Sequence, residues 1–315
     1  MLPPPASTPL PSYRLEYSAS EALALGPFAA RALLASPGRT VTCFHVANKD
    51  KGDRLLDAGA RLAMAAPSSL SCCLHYSLKF QGRGDEAVRR LLEFLDRAAR
   101  LGGGDDRCSV LLVSGGGDPA KRPKSQLCSA EALERVRDAL AFSPKRSLPP
   151  IFVAFNPYFP DPVDRERERA RLRRKLATGL VGAGGVALQF GSDPKLLAEG
   201  LAFLRRDDVL GERGTILGSI FMPTKRFLAG MRFRPWRGVF LSSSSAAGEG
   251  QEEEGYLDSV DAAERVTAEL LEVYERYRVE PLVETAVLDE AGLAAAEALL
   301  QRRPRRVGGE EEKER

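Results

Sequence analysis

Residues 150–190 read PIFVAFNPYFPDPVDRERERARLRRKLATGLVGAGGVALQF, and this stretch decides the fold. An apolar run, Pro150–Asn156, halts at an asparagine. A charged helical segment, Asp164–Leu180, follows it, with Leu172 and Leu176 on one face. A second apolar run, Gly185–Phe190, carries Gln189 at its end. Strand, helix and strand in sequence make the crossover unit of a parallel sheet.

Working outward, the same unit recurs. Strand-like runs are expected at Tyr13–Ser18, Thr40–Val46, Ser69–Leu78, Cys108–Ser114, Thr215–Met222 and Val279–Val287. Helices are expected over Glu86–Arg100, Glu131–Leu140 with Ser129 as N-cap, Asp258–Tyr277 and Asp289–Leu300. Eight strands, each followed by a helix, is the count for a (β/α)8 TIM-type barrel in a single domain. An open doubly wound sheet is the alternative, because strand count alone does not require closure. The domain spans 13–301, between a proline- and serine-rich tail, 1–12, and a charge-dense tail, 302–315, both expected to be disordered. A flexible insertion is expected at 242–257, polar and glycine-rich through Ser242–Gly255. The strand-like Gly238–Leu241 just before it reads as an excursion between the seventh strand and its helix.

The polar residues at the strand ends carry the functional information. A strand covered on both faces should be apolar throughout. Here the runs stop at Glu16, His75, Asp118, Asn156, Gln189 and Glu284. In a closed parallel barrel these ends open onto one face, where ligands bind. A carboxyl such as Glu16 between low-dielectric walls has a raised pKa and suits a general acid. It reads equally as half of a rim ion pair. Gly115-Gly116-Gly117-Asp118 could bring backbone N–H groups and an acceptor close to a heterocycle, or be a plain turn. His75 reads as hydrogen-bonded scaffolding more readily than as a base, and His45, inside the second strand with no obvious partner, reads as structural. Within the charge run Arg165–Lys175, mostly a solvated helix face, Lys175 could reach a phosphate.

Composition excludes several classes. With 46 basic and 43 acidic side chains the chain has no general pull toward nucleic acid or membrane. No apolar run is long enough to span a bilayer. Cys43, Cys72, Cys73, Cys108 and Cys128 lack metal-site spacing and read as reduced packing residues. The amino-terminal segment lacks the apolar core of a secretory signal, so a cytoplasmic location is expected.

Taken together, these positions resemble the methylenetetrahydrofolate reductases, flavin-dependent barrel enzymes of one-carbon metabolism. Leu15-Glu16-Tyr17 is similar to that family's Phe-Glu-Phe, and His75-Tyr76-Ser77 to its His-Leu-Thr. Gly117-Asp118-Pro119 is similar to its Gly-Asp-Leu, and Leu172-Arg173-Arg174-Lys175 with Gly179 to its Leu-Lys-Arg-Lys helix. Gln189-Phe190 is similar to its Gln-Phe, and Ile220-Phe221-Met222-Pro223 to its Gly-Ile-Leu-Pro. The matches keep their order from Glu16 to the last helix. The resemblance implies FAD as cofactor, NADH or NADPH as reductant, and methylenetetrahydrofolate, polyglutamylated or not, as substrate. It casts Glu16 as the proton donor and Asp118 and Gln189 as substrate contacts. His75, Gly116, Gly117, Asp118, Asn156, Glu168 and Lys175 become cofactor contacts. It leaves a homo-oligomer open and implies neither a nucleic-acid nor a membrane partner.

The departures imply an alternative. The family's Thr-Tyr-Gly is Val46-Ala47-Asn48 here, its Arg-Gly-Asp is Gly116-Gly117-Asp118, and a tyrosine and histidine appear as Asn156 and Pro160. Such a chain could be a non-catalytic barrel that binds a folate or a partner and has lost tight flavin binding.

Overall fold

The computed structural model describes residues 12–25, 41–65, 70–101, 107–115, 126–142, 147–244 and 254–302. Eight parallel strands close into a barrel in chain order. They are β1 (Tyr13–Ser18), β2 (Val41–Ala47), β3 (Ser71–Ser77), β4 (Cys108–Val113), β5 (Ile151–Phe155), β6 (Gly185–Leu188), β7 (Thr215–Ile220) and β8 (Glu280–Val283). Among the described residues the helices are α1 (Ala19–Ala24), α2 (Leu55–Ala65), α3 (Gly84–Leu101), α4 (Ser129–Ala141) and α5 (Pro162–Leu176). They continue with α6 (Pro194–Leu204), α7 (Lys225–Phe233), α8 (Val260–Tyr277) and α9 (Glu290–Leu300). The closed (β/α)8 barrel expected from the alternation is present, and the open sheet is not.

Helix limits follow local chemistry. Asp161 accepts from the Val163 N–H at 2.7 Å and Pro162 needs no such partner, so α5 starts two residues before Asp164. It ends at Leu176, and Gly179 then takes a positive φ of 73°. Cys128, not the expected Ser129, caps α4, its sulfur accepting from the Glu131 N–H at 3.5 Å. Ser259 caps α8, while Asp258 accepts from the Ser244 and Gly255 N–H groups. In α3 the buried stripe Ala87, Val88, Leu91, Leu95 and Ala98 packs inward, and exposed Arg89 and Arg90 pair with Glu86.

Gly238–Leu241 does not enter the barrel; Phe240 forms only an isolated bridge with Gly191. The base of the expected insertion is tied down. Leu257 N–H donates to the Ser242 carbonyl at 2.9 Å, and Tyr256 is fully buried. Residues 245–253 of that insertion lie outside the described residues.

Two cores result. The larger one fills the layer between strands and helices. The smaller one, Cys43, Cys73, Leu111, Phe152, Ala187 and Leu217, draws one side chain from each of β2 to β7 and plugs the barrel interior. Below it Arg14 joins Glu280 at 2.8 Å, with its guanidinium 5.4 Å over the Phe152 ring. Closure between β1 and β8 rests on Arg14 opposite Leu282 and Leu15 opposite Val283, whereas β1 pairs with β2 along its whole length. Cys43, Cys72, Cys73 and Cys108 are buried free thiols, as packing cysteines should be. Among the described residues no helix is long and apolar enough to cross a membrane.

Candidate functional site

Side chains alternate along a strand, so a residue two beyond an inward-facing one shares its inner face and lies nearer the carboxyl-end mouth. From Arg14 this leads to Glu16, from Cys43 to His45, and from Cys73 to His75. From Ala187 it leads to Gln189, from Leu217 to Ser219, and from Leu282 to Glu284. The mouth of the barrel is therefore floored by two carboxyls, two imidazoles, a hydroxyl and an amide.

These side chains touch. His75 Nδ1 lies 3.6 Å from Glu16 Oε2, just outside hydrogen-bond range. Its other nitrogen, Nε2, is 2.8 Å from His45 Nδ1. His45 is fully buried, and its Nε2 has no hydrogen-bond partner. Ser219 Oγ donates to the Leu188 carbonyl at 2.8 Å and also bonds Glu284. When Glu284 is protonated it can donate to Ser219, whose own proton then serves Leu188.

Burial sets the charge states. It holds the Glu16 carboxyl well above the usual carboxylate range, reinforced by the Glu284 carboxyl and opposed by Lys49. Burial pushes Glu284 up to about 7, although the Ser219 hydroxyl and Lys49 favour its ionised form. His75 is pushed down to about 3 by burial and by Lys49, and burial with His75 and Arg14 lowers His45 strongly. Burial therefore favours the protonated form of Glu16 and the neutral form of both imidazoles beside it. Such an arrangement can deliver a proton.

Of the remaining expected residues, Asn156 and Gln189 follow β5 and β6 at the mouth, and Lys175 reaches β5 from α5. Gln189 is half-buried, and its backbone N–H donates to the Phe155 carbonyl at 2.8 Å. Asn156 is buried; its amide donates to the Gly238 carbonyl at 2.8 Å and accepts from the Tyr158 N–H at 3.0 Å. Lys175 is buried near the end of α5 and donates to the Ala154 carbonyl at 2.7 Å. Glu168, two turns earlier on the same helix face, is also buried and lies 3.3 Å from Arg171. Gly116, Gly117 and Asp118 lie outside the described residues.

The structure adds His45 and Ser219 to the site, and joins to it Glu284, which the sequence offers as the end of an apolar run. His45 has a partner after all, His75, because neighbouring strands place both on one inner face. Ser219 and Glu284 come from β7 and the end of β8. Glu284 ends an apolar run in the sequence, which is a usable signal. For Ser219 and the His45 pairing, only the knowledge of strand register supplies one.

No protein-family model and no curated protein sequence matches the chain. Solved structures share its architecture at low identity. The C-terminal domain of a presumed chitinase from Desulfitobacterium hafniense DCB-2 superposes with a TM-score of 0.50 and 11% identity, covering 93% of this chain and 99% of that one. A GH18 chitinase from Pseudoalteromonas aurantia gives 0.49 and 11%, covering 92% and 99%. An uncharacterized protein from Clostridium thermocellum that binds two copies of 5-methyl-5,6,7,8-tetrahydrofolic acid gives 0.49 and 10%, covering 92% and 94%. The likeness is to the barrel alone, a fold that hosts many chemistries.

Proposed function

We propose that this chain is a barrel enzyme that protonates a small heterocycle at its mouth, a reductase of the methylenetetrahydrofolate reductase type with Glu16 as the acid. The observation that carries this reading is the Glu16 carboxyl itself. It is buried to 7% exposure toward the end of β1, on the inner face, and burial and Glu284 favour its protonated form. A structural barrel has no need for a buried, uncompensated acid there.

Opening the five-membered ring of methylenetetrahydrofolate requires a proton on the departing ring nitrogen. Glu16 supplies it, and the exposed Lys49 ammonium then favours the carboxylate left behind. Gln189, on the same inner face, offers a donor and an acceptor to a pterin edge. Asp118 would be its partner in that grip.

Lys175 has more donors to spare for a flavin than Asn156, whose amide keeps one hydrogen and one lone pair. An ammonium has three donors, and the one hydrogen bond described for buried Lys175 is to Ala154, so it can serve an acceptor-rich ring with Glu168 beside it. The Asn156 amide is bonded to Gly238 and Tyr158 at both ends. Lys175, Glu168 and His75 are the described residues that would hold the cofactor. When bound, a flavin would supply the hydride, taken from NADH or NADPH.

Asn156 and Pro160, standing where the family has a tyrosine and a histidine, favour a second reading, a folate-binding barrel without tight flavin. One experiment separates the two. The purified protein is titrated with FAD and then assayed for NAD(P)H oxidation with methylenetetrahydrofolate. Flavin binding with folate-dependent turnover, reduced at least about 100-fold in Glu16→Gln, is the expected result. Folate binding without flavin or turnover supports the second reading. Equal turnover in Glu16→Gln eliminates the acid.

A further inference from the structure

The chain contains two histidines, and the fold brings them together inside the barrel. We propose that His45 is a positioning residue, which through one linear hydrogen bond keeps the proton of His75 on the nitrogen that faces Glu16. The inference rests on Glu16 as the acid of the preceding reading and adds a role for a residue that does not touch the substrate.

The geometry of the pair comes first. The two nitrogens are 2.8 Å apart, the ring centroids 5.0 Å apart, and the rings stand at 85° to each other. A ring nitrogen lies about 1.1 Å from its ring centre, so the two radii and the contact together roughly span the whole centroid separation. The contact therefore runs straight from ring to ring, nitrogen aimed at nitrogen. The Cys73 thiol lies nearby, and metal-ligating atoms of His45, Cys73 and His75 fall within 4.8 Å of one another. A metal held by all three would need their lone pairs to converge on a common point. Imidazoles aimed at each other share a proton instead.

Both rings are neutral, so each has one N–H and one lone pair. Two arrangements are then available. If His75 donates, its lone pair faces Glu16, and His45 must carry an N–H on Nε2. That N–H would be fully buried without an acceptor, the least tolerated kind of orphan. If His45 donates, its Nε2 keeps a bare lone pair instead, which is better tolerated in a buried place than an N–H without an acceptor. His75 then carries its proton on Nδ1, 3.6 Å from the Glu16 carboxyl. The second arrangement is the stable one.

Its consequence appears when Glu16 gives up its proton to the substrate. A new carboxylate then sits among buried groups with Glu284 nearby, while Glu21 adds repulsion and Lys49 attraction. The His75 Nδ1–H closes the 3.6 Å gap by a small side-chain shift and donates to it. No proton leaves either histidine, so charge balance is kept: Glu16 loses one proton and the substrate gains it.

With two histidines in the chain, full-length protein labelled with 15N-histidine gives two imidazole spin systems in long-range 1H–15N NMR. Between about pH 5 and 8, His75 is expected to carry its proton on Nδ1, with Nε2 as acceptor. A proton on His75 Nε2 in the parent protein overturns the proposal. In His45→Phe the Nδ1–H form is expected to give way to a tautomer mixture, with folate turnover down about tenfold. In His45→Gln, whose amide can donate, the Nδ1–H form returns and turnover recovers to within about threefold. An unchanged His75 tautomer in His45→Phe overturns the proposal, as does one equivalent of zinc bound in place of the shared proton. Should His45→Phe fail to fold, the parent and His45→Gln spectra decide. The spectra require no substrate, so a failed reductase reading leaves this result standing and is recognised separately by absent turnover.

Discussion

At the residue scale, Glu284 gives the clearest pH test. Its carboxyl is pushed from the ordinary 4.5 to about 7, so the folded protein binds a proton there that the unfolded chain has released. A raised pKa contributes stability that is complete below 4.5 and disappears as pH rises through 7. Chemical denaturation should accordingly show stability falling across that interval, by about 3 kcal/mol at most for this group. Glu284→Gln should flatten the decline, and by removing a like charge should also lower the apparent pKa of Glu16. An unchanged slope would show that Glu284 does not titrate across that interval, and an unchanged Glu16 would show that the two carboxyls do not share a site. The acid was legible in the sequence because a polar side chain ending an apolar run is physically conspicuous. His45 was not, since a histidine within a strand looks like scaffold until register places it against His75. Register depends on pairing between chain segments that no single run of residues encodes.

At the element scale, caps and close approaches decide stability. The Cys128 sulfur is a weak, long acceptor for the Glu131 N–H, so Cys128→Ser should stabilise α4 by about 0.5–1 kcal/mol, read as a rise in thermal midpoint. Ser129 looked like the cap because serine is the stronger capping type, yet the helix begins one residue earlier than that choice allows. A Cβ at Gly184 would lie 1.9 Å from the Ile151 carbonyl oxygen, and backbone cannot retreat as a side chain does. Gly184→Ala should destabilise by about 3 kcal/mol or more and lower the denaturant midpoint without changing the slope. The strands and most helices were readable from hydrophobic periodicity. The exact ends were not, because they depend on which side chain finds a free N–H.

At the scale of the whole molecule, the barrel interior is built in polar and apolar layers. The Arg14–Glu280 pair lies under the plug of Cys43, Cys73, Leu111, Phe152, Ala187 and Leu217, and Thr42 adds a hydroxyl to the same carboxylate. Removing one partner strands the other, so Arg14→Met should cost about 3–5 kcal/mol, while Arg14→Met with Glu280→Leu should recover most of it. If the double variant is no better than the single, the pair is not what the floor depends on. Closure could be foreseen from the eight-fold alternation, but not where it would be thinnest. That place is the junction of the first and last strands, held by few backbone pairings, and Glu16 and Glu284 stand on its two sides. Breathing of this seam would admit water to both carboxyls at once and return them toward ordinary acidity. The proton-donating power of the mouth is therefore only as durable as the zip between the two ends of the sheet, and amides in β1 and β8 should exchange with deuterium sooner than those of β3 and β4.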